Sequence, residues 1–517
     1  MKYRNMDPVH VMNDDPAVRS FLKHLRSNDM NYILNEPWCL RGWKNKPYCL
    51  CNFTSPAPPV EISEKDKDVL SGPFAYSGGN QSVDQMIRSG MLRPAEEGES
   101  LDETRQYRNF GCLHFSSVIF SITGKCNYNC LHCSVNAPKA PMEEVPFERI
   151  EKMLDEIREC GLKNIVLIGG EPLVRRDFIQ IVDAILQRGL FVAQIFTNGS
   201  LVNDALLDEL DKRNVSPTFM ISFDGVGYHD IMRGVKGAEE QFYRCVDLLR
   251  SRNYRVTCNM CITKDSVVSV WDTIRVLSEK GVESLIVYPP VESGLWRDRY
   301  QEMGVSLDKM CAEYEDVFEK YVAADYPMDL IMYGLISFVR SRRKWALLPS
   351  WSYHPEKAAV TPACRVYRRE LNISPEGILS PCYAIMADEH IRNSMPDINK
   401  IPLRQALTDS AYTEIMELTS QDIADHNPKC RECEYHVMCG GGCRMSAFEK
   451  TGDLLGYDPQ MCYFFEHGFP EKFVEAIRRG EKKRRENMSV LDMLLNSVMT
   501  LCIVLYISVQ LLGIAPA

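Results

Sequence analysis

The chain lacks both an amino-terminal secretory signal and an excess of positive charge. Its first 30 residues contain no apolar run and carry Asp14, Asp15, Arg19 and Lys23, so they do not have the pattern of an export signal. The 60 Lys and Arg residues are outnumbered by 70 Asp and Glu, for a net charge of −10. Because phosphate binding requires a basic surface, this balance argues against a general affinity for nucleic acid. We therefore expect a cytoplasmic protein without a nucleic-acid partner.

Cysteine, in contrast, is abundant. The chain has 20 Cys in 517 residues, with 45% hydrophobic and 25% charged residues, a composition typical of a globular protein of roughly two to four domains. Without an export signal, disulfides are not expected. The thiols are better explained as metal ligands in a reducing compartment.

Three cysteines lie close together in residues 124–134. Their spacing is Cys126-x3-Cys130-x2-Cys133, and no fourth cysteine is nearby. Structural zinc sites usually fill four positions with protein ligands, whereas a site that contacts a substrate keeps one position free. Cubane iron–sulfur clusters normally have four cysteine ligands, so a triplet leaves one iron for a non-protein ligand. At this point the alternatives are an open iron–sulfur site, a zinc knuckle and a chance cluster.

The triplet resembles the cluster-binding motif of the radical S-adenosylmethionine (radical SAM) enzymes, with His132 where many members carry an aromatic residue. The resemblance implies that the three cysteines hold a 4Fe-4S cluster whose free iron is chelated by the methionine moiety of S-adenosylmethionine. It also implies reductive cleavage of that molecule, followed by abstraction of a substrate hydrogen atom by a 5′-deoxyadenosyl radical.

From residue 116 to about residue 291, short β-rich runs alternate with amphipathic helices, which is typical of βαβ units and a parallel sheet. We therefore expect an α/β fold. Six such units match the partial (β/α)6 barrel of the radical SAM enzymes. The predicted strands are 116–122, 164–168, 191–196, 218–223, 255–262 and 284–288, and the predicted helices are 146–159, 176–188, 203–213, 239–252 and 267–280.

Loops at the carboxyl ends of barrel strands are the expected location of function. Gly169 and Gly170 follow the second strand, where glycine lets the backbone approach a ligand closely, and Pro172 fixes the turn. In radical SAM enzymes this motif meets the methionine amine, so the resemblance implies that Gly169, Gly170 and Glu171 bind the cofactor in a loop with Pro172. Asn198 follows the third strand and is predicted to bind the cofactor too, although Asn-Gly is also a common turn dipeptide.

The fourth strand ends in Ser222-Phe223-Asp224-Gly225. Ser222 and Asp224 can hydrogen-bond ribose hydroxyls or a carboxylate. Downstream, Arg233 lies in a segment that resembles the one whose arginine binds the methionine carboxylate in related maturases, and a bidentate guanidinium suits that task. A surface ion pair is the alternative role for Arg233.

A second group of cysteines begins at Cys364. The pattern Cys364-x12-Gly377-x4-Cys382 is followed by four cysteines at spacings x2, x5 and x3 and, after a further x18, by Cys462. This pattern resembles the SPASM domain, which carries two auxiliary 4Fe-4S clusters in radical SAM enzymes that act on peptides and proteins. The resemblance therefore implies three 4Fe-4S clusters in the whole chain.

The SPASM resemblance also implies how these ligands are divided. Cys364, Cys382 and Cys443 would hold the first auxiliary cluster, which then lacks a fourth cysteine; Cys430, Cys433, Cys439 and Cys462 would hold the second. The alternative is one zinc site formed by Cys430, Cys433, Cys439 and Cys443. That arrangement would leave three cysteines of the pattern without a role.

One position departs from the pattern of some relatives. In those that oxidise a sulfatase cysteine or serine, an acidic residue follows the cysteine of the Gly-x4-Cys element and serves as base. Tyr383 stands there in this chain. The difference disfavours formylglycine chemistry and makes Tyr383 a candidate for proton or hydrogen-atom transfer.

Residues 1–112 are predicted to form a small amino-terminal unit. A helix over 14–34, a strand over 47–53 paired with 60–63, a short helix capped by Ser63 and a helix over 82–92 are compatible with a winged-helix-like unit. Similar units in radical SAM peptide maturases bind the leader of a precursor peptide as an added strand. A packing domain without a ligand is the alternative.

Four further segments complete the predicted organisation. They are a radical SAM barrel over 113–291, a helical bridge over 292–360 with helices at 307–321 and 328–340, a SPASM domain over 361–470, and a basic linker with a hydrophobic helix over 471–517. Residues 497–514 carry no charge and follow a basic cluster at 478–487, which predicts a tail anchor on the cytoplasmic face of a membrane. A helix that docks on the body or on a partner is the alternative.

These sites and resemblances lead to one principal hypothesis. The chain is a radical SAM/SPASM maturase that forms a thioether or another crosslink in a ribosomal precursor peptide, with electrons from a donor such as flavodoxin or ferredoxin. Two alternatives stay open: an activator that oxidises a side chain of a folded protein partner, and a membrane-associated iron–sulfur electron carrier that does not cleave S-adenosylmethionine. The Gly-Gly-Glu-Pro loop and Arg233 disfavour the carrier.

Overall fold

The amino-terminal unit consists of small sheets and short helices. The structure, a computed structural model, describes residues 30–133, 144–290, 294–333, 335–339, 344–347, 357, 359–364, 369–382 and 389–487. The first strands, β1 to β7, are Met30–Leu34, Trp38–Trp43, Lys46–Asn52, Val60–Glu61, Phe74–Tyr76, Leu92–Pro94 and Arg108–Asn109, and helices α1 and α2 are Glu64–Leu70 and Gln81–Arg88. They form one sheet of order β5-β1-β6 and another of order β4-β3-β2-β7.

Two sequence predictions in this unit are confirmed and one is wrong. Strand β3 pairs antiparallel with β4, and Ser63 caps α1 through a reciprocal bond with Asp66. The helix predicted over 14–34 is wrong where the structure describes it, because Met30–Leu34 is a strand between β5 and β6. Tyr32, Ile33 and Leu34 are consecutive and all buried, as expected of a strand covered on both faces rather than of a helix with one apolar face.

The largest sheet contains the parallel barrel strands, which confirms the predicted α/β fold. Strands β8 to β14 run parallel to their neighbours. They are Ser117–Thr123, Asn164–Gly169, Phe191–Thr197, Thr218–Ser222, Val256–Cys261, Ser284–Tyr288 and Asp329–Met332, and the associated helices α3 to α8 are Phe147–Glu159, Phe178–Gln187, Asp204–Lys212, His229–Arg233, Ala238–Ser251 and Val270–Glu279. The apolar sides of strands and helices share one core.

The segment between the barrel and the cysteine-rich part is only partly helical. It contains α9 (Tyr300–Met303), α10 (Leu307–Ala324), β14, β15 (Ile336–Val339) and β16 (Lys344–Leu347). The predicted helix over 328–340 is therefore wrong, because β14 continues the parallel sheet next to β13 and β15 turns back against it. A short apolar run such as residues 329–332 fits a buried strand as well as a helix. It forms a strand here because it pairs with the edge of β13.

The carboxyl-terminal part adds strands to the other edge of the sheet and then becomes helical. Strand β17 pairs parallel with β8, and β18 pairs with β17. These strands are Glu370–Ile373 and Leu379–Ser380, and helices α11 to α19 are Glu389–Ser394, Leu403–Ala406, Ala411–Glu417, Ser420–His426, Pro428–Arg431, His436–Cys439, Arg444–Thr451, Pro459–Glu466 and Phe469–Asn487.

Helix α19 contains the basic residues that the sequence places before the apolar end. Part of its charge faces acidic residues of α10: Arg479 and Lys483 lie 2.6 Å from Glu319, and Arg484 lies 2.6 Å from Asp325. This basic cluster therefore helps to join two helices. Within the described ranges, none of the helices has the length and apolarity required to cross a bilayer. The predicted anchor at 488–517 lies outside those ranges.

The amino-terminal unit is fastened to the barrel through one of its two sheets. The indole Nε1 of Trp43 donates to the Cys160 carbonyl at 2.8 Å, and the Lys163 ammonium donates to the carbonyls of Asn52 and Ser55 at 2.7 and 2.6 Å. Trp43 also belongs to the core of the barrel. The β5-β1-β6 sheet packs on a second, smaller core, to which Leu40 of β2 and Leu50 of β3 also contribute, so this core joins the two sheets of the unit.

Candidate metal centres and cofactor site

The first candidate centre lies in the loop after β8. The Tyr128 N–H is directed at Cys126 Sγ at 3.4 Å, and the Cys133 N–H donates to the Cys130 carbonyl at 3.4 Å. The structure brings the three predicted thiols together, since Cys126 interacts electrostatically with Cys130 and Cys133. Burial raises the pKa of the Cys126 thiol to about 11. A metal ion would therefore have to displace protons in order to bind here.

Gly169 and Gly170 hold the next loop tightly against the cysteine loop. The Gly170 N–H donates to the Thr123 carbonyl at 2.9 Å, and the Glu171 N–H donates to the Lys125 carbonyl at 2.8 Å. A Cβ at Gly170 would lie 2.3 Å from the Lys125 oxygen, and one at Gly169 would lie 2.4 Å from the Thr123 oxygen. Glycine is therefore required here because two loops of the protein approach each other closely.

The Glu171 side chain connects its own loop to the loop that follows β10. It is 1% exposed and accepts hydrogen bonds from the Leu173 N–H at 3.1 Å, the Thr197 hydroxyl at 2.8 Å and the Asn198 N–H at 2.7 Å. Burial raises the pKa of Glu171 to about 7 despite these donors. Asn198 in turn donates to the Asn127 side chain at 2.9 Å. Both residues thus support the cysteine loop from behind, and Pro172 is buried at the start of a short 3-10 turn, Pro172–Val174.

Asp224 and Arg233 form a buried ion pair beside the first centre. Arg233 Nε lies 2.8 Å from Asp224 Oδ2, and its Nη2 donates to Oδ1 at 3.1 Å. Another guanidinium nitrogen lies 3.6 Å from Cys130 Sγ. Burial alone would raise the pKa of Asp224, but Arg233 and then His132 hold it well below its usual range. The sequence allowed a surface ion pair as the alternative role of Arg233, but this ion pair is buried. Ser222, the other residue predicted from this strand end, lies partly exposed at the end of β11.

Two further residues at this site were not predicted from the sequence. Cys261, at the end of β12, donates its backbone N–H to Asp224 at 3.2 Å, and His229 Nδ1 accepts the Asp224 N–H at 3.0 Å. Ligand atoms of His132, Asp224 and Cys261 lie within 4.8 Å of one another. Arg233 already neutralises this carboxylate, so we interpret the group as an ion-pair network. The sequence predicts only that Cys261 is a buried core residue. It lies next to Asp224 because β11 and β12 are paired and end at the same edge of the sheet.

A second candidate centre is a cavity lined by four thiols. Cys430, Cys433, Cys439 and Cys462 surround an empty volume of about 400 Å³, part of it open to solvent. Burial raises the pKa of the Cys462 thiol to about 11. Four cysteines around one cavity form the donor set of a cubane iron–sulfur cluster, so these residues fit such a group.

The glycine run Gly440-Gly441-Gly442 allows the chain to turn around this cavity. All three glycines have positive φ, between 64 and 95°. A Cβ at Gly441 would lie 2.5 Å from Ile423, and one at Gly442 would lie 2.6 Å from Asp458. These glycines therefore allow three ligands from short helices and Cys433, which follows the first of them, to converge.

The three remaining cysteines of the pattern are at a third location. Cys443 interacts electrostatically with Cys364, and the Tyr333 side chain interacts with Cys364, Cys382 and Cys443. The cavity of the second centre is completed by Cys462 rather than by Cys443. The thiols thus separate into two groups, unlike the single zinc site considered as an alternative. Tyr383, the residue predicted as catalytic, lies outside the described residues.

Two tyrosines lie between the first and third locations. Tyr288 ends β13 opposite Cys261, and its ring meets that of Tyr333 edge-on, with the centroids 6.1 Å apart. The Tyr333 N–H donates to the Val287 carbonyl at 2.8 Å. Tyr333 is 54% exposed, but the burial of its hydroxyl and the nearby thiols raise its pKa. A side chain that is partly exposed but has a buried hydroxyl is expected in the wall of a cavity, so we place Tyr333 in such a wall. Sequence analysis missed this tyrosine pair because β14 was not predicted as a strand.

Comparison with known proteins identifies two domains. Residues 120–277 match the radical SAM superfamily, and residues 364–434 match the SPASM iron–sulfur cluster-binding domain. The AdoMet-dependent heme synthase of Nitratidesulfovibrio vulgaris is 26% identical over 359 residues, covering 67% of this chain and 92% of that protein. The PqqA peptide cyclase of Granulibacter bethesdensis is 24% identical over 381 residues, covering 70% and 91%.

Solved structures share the fold at low sequence identity. Streptococcus suis SuiB bound to the precursor peptide SuiA has a TM-score of 0.59 and 16% identity, covering 83% of this chain and 99% of that one. The structure of anSMEcpe with bound AdoMet and the Kp18Cys peptide has a TM-score of 0.52 and 17% identity, covering 70% and 98%. The two family matches, together with the grouped thiols, show that the chain carries a domain of the radical SAM superfamily and a SPASM domain, two features that imply 4Fe-4S clusters and S-adenosylmethionine as cofactors.

Proposed function

We propose that this protein is a radical SAM/SPASM peptide maturase with three 4Fe-4S clusters, which introduces a thioether or another crosslink into a ribosomally made precursor peptide. The observation that carries the proposal is a row of contacts that begins at the first cysteine group and ends at Tyr333, which interacts electrostatically with the thiols of the third group. It runs from Cys130 through Arg233 and Asp224 to Cys261, and then through Tyr288 and Tyr333. A substrate carbon held along this row would lie between the two groups.

The chain's own residues would position the reactants and exclude water. When bound, S-adenosylmethionine and its cluster supply the radical that removes a hydrogen atom from the substrate. Arg233 is paired with Asp224 but keeps one guanidinium nitrogen next to Cys130, and that nitrogen can donate to a carboxylate of the cofactor. The Glu171 bonds to Thr197 and Asn198 hold the surrounding loops in place. Such fixed positioning matters because the reacting hydrogen must lie next to the radical carbon.

The substrate class is supported by the extent of the fold match. The likeness to SuiB covers 83% of the chain, about 429 of 517 residues. Residues 113–517 number only 405, so the likeness includes part of the amino-terminal unit. The match to heme synthase covers 67%. SuiB and anSMEcpe are each described with a bound peptide, and the PqqA relative is named a peptide cyclase. The likeness to a peptide-binding protein therefore covers more of this chain than the likeness to a heme synthase does, which favours a peptide substrate.

The amino-terminal unit would bind the leader of the precursor. Strands β5 and β6 each pair only with β1 among the described strands, so each has an edge to which a peptide strand can add. The other sheet is already fastened to the barrel through Trp43 and Lys163. One sheet thus contacts the barrel while the other keeps open edges, an arrangement that fits peptide binding better than a unit used only for packing. A low-potential donor such as flavodoxin or ferredoxin would supply the electrons.

The test is anaerobic turnover of the reconstituted full chain with dithionite and S-adenosylmethionine. We expect 5′-deoxyadenosine and, with a precursor peptide encoded next to the gene, a product about two mass units lighter per crosslink formed. A variant with Cys126→Ala, Cys130→Ala and Cys133→Ala should form neither product. Formation of 5′-deoxyadenosine with every such peptide left unchanged would exclude the peptide assignment. Absence of 5′-deoxyadenosine would favour an electron carrier.

A further inference from the structure

Arg444 is a buried cation that forms no ion pair in the described part of the chain. It is the first residue of α17, directly after Cys443, and it is 1% exposed. Its Nη1 donates to the carbonyls of Leu454 and Gly456 at 2.8 and 2.9 Å, and its Nη2 donates to the carbonyl of Gly441. These acceptors are neutral. They satisfy the N–H groups but do not compensate the charge, and the carboxylate that interacts electrostatically with Arg444, that of Asp453, is already paired with His426 at 2.6 Å.

An uncompensated buried charge is destabilising, because desolvation removes far more free energy than neutral dipoles return. A large cationic side chain at such a position therefore requires an explanation beyond its hydrogen bonds. In the described residues, other buried arginines do have anions: Arg233 pairs with Asp224, and Arg175 pairs with Asp177 at 2.6 Å. Arg444 differs from both.

The guanidinium lies directly behind the wall of the four-thiol cavity. Gly441 lines that cavity, its carbonyl accepts from Arg444 Nη2, and an added Cβ at Gly441 would lie 3.1 Å from the same nitrogen. The charge also acts on a ligand, because Arg444 partly offsets the effect of burial, which raises the pKa of the Cys430 thiol. The four thiols thus lie across one backbone segment from the guanidinium.

We propose that Arg444 is the built-in counter-charge of the cluster held by Cys430, Cys433, Cys439 and Cys462, and that it raises the reduction potential of that cluster. Four thiolates give a cubane cluster a net negative charge, and net charge is one of the factors that set its potential. Reduction adds a further negative charge, which a nearby cation in a low-dielectric interior stabilises. The inference rests on the proposed second auxiliary cluster and not on the identity of the substrate.

Two substitutions separate the charge from the hydrogen bonds. Arg444→Gln removes the charge and keeps a donor, whereas Arg444→Lys keeps the charge and loses the planar fork. Arg431→Gln is a matched control: Arg431 follows Cys430 directly and also donates to main-chain carbonyls, of Ala424 and Asp425, but it is exposed, so solvent screens its charge.

The experiment is a redox titration of the reconstituted full chain by electron paramagnetic resonance. Cys126→Ala, Cys130→Ala and Cys133→Ala are included in every variant, so that only the auxiliary clusters contribute signals. We expect Arg444→Gln to shift one auxiliary signal to a lower potential and to leave the other unchanged, with the iron content retained. Arg444→Lys and Arg431→Gln should keep the potential of the parent.

Equal shifts in Arg444→Gln and Arg444→Lys would overturn the proposal, because the hydrogen bonds would then be responsible. Unchanged potentials in both variants would also overturn it. Should Arg444→Gln fail to retain iron, Arg444→Lys decides: retained iron at the parent potential supports the counter-charge, and lost iron or a lowered potential excludes it. None of these outcomes depends on peptide turnover, so failure of the maturase assignment would be seen separately.

Discussion

Single residues around the first cysteine group act mainly by holding loops together. Gly170, Glu171 and Asn198 contact the loop that carries Cys126 or the loops behind it. The Arg233 guanidinium reaches both Asp224 and Cys130. Substitutions here should therefore affect the geometry of the thiols before they affect overall stability.

Gly170→Ala should disrupt the first cysteine group. The new Cβ would lie 2.3 Å from the Lys125 carbonyl oxygen, so the loop carrying Cys126 must move. We expect loss of the iron bound by this group and loss of 5′-deoxyadenosine formation, with the far-ultraviolet circular dichroism spectrum unchanged. Gly72→Ala is the control, because no atom lies within 4 Å of its added Cβ. Full iron content in Gly170→Ala would contradict this prediction.

His114 should make stability depend on pH. It is 4% exposed and packs edge-on against Trp43 at 4.5 Å. Burial, and then Lys46 and Lys163, lower the pKa of His114 from 6.5 to about 3. Between those values the unfolded chain binds a proton that the folded chain does not, so stability is lost as the pH falls below 6.5.

From pH 6.5 to pH 5.0 the loss should be about 2 kcal/mol, at about 1.4 kcal/mol per pH unit. Urea denaturation of cluster-free protein at both pH values measures it. His114→Gln should remove most of this loss, and the exposed His390→Gln should not. A loss that is the same in wild type and His114→Gln would show that other groups cause it.

At the scale of elements, close contacts between segments determine how the parts of the chain are joined. Helices α10 and α19 illustrate this, because Phe318 and Phe473 meet edge-on at 5.0 Å and ion pairs lie along their exposed side. Gly480 lets the two backbones approach: an added Cβ would lie 2.6 Å from the Glu319 carbonyl oxygen.

Gly480→Leu should therefore force α10 and α19 apart. We expect a loss of about 1–3 kcal/mol of unfolding free energy, the usual cost of overpacking, and faster proteolysis of α19. Lys482→Ala, a substitution on the exposed side of the same helix, serves as the control and should change the unfolding free energy by less than about 0.5 kcal/mol. An equal effect of the two substitutions would exclude close helix packing as the cause.

At the scale of the whole molecule, the chain combines three cysteine groups on one α/β body. We expect anaerobically reconstituted protein to contain the iron of three 4Fe-4S clusters, one for each cysteine group. Alanine at all cysteines of one group should remove one set and leave the other two, as measured by elemental analysis and Mössbauer spectroscopy. About one zinc and no iron in the wild-type protein would contradict the assignment of all three groups.

The sequence determined those features that depend on neighbours along the chain. Cys126, Cys130 and Cys133 lie in one loop, so their spacing alone predicts that the thiols meet. The alternation of strands and helices likewise predicts the parallel sheet, because burial on both faces requires apolar strands and one-sided helices. The capped helix after Ser63 is local in the same sense.

Tertiary structure decided the features that depend on distant segments. Met30–Leu34 and Asp329–Met332 are apolar runs that fit a helix or a strand, and they became strands because neighbouring strands offered free edges. The third cysteine group joins Cys364 to Cys443, and Tyr333 lies next to it. Arg444 lies across Gly441 from the cavity of the second cysteine group. Such relations depend on which chain segments pack together, and spacing along the sequence does not specify the distance between side chains in space.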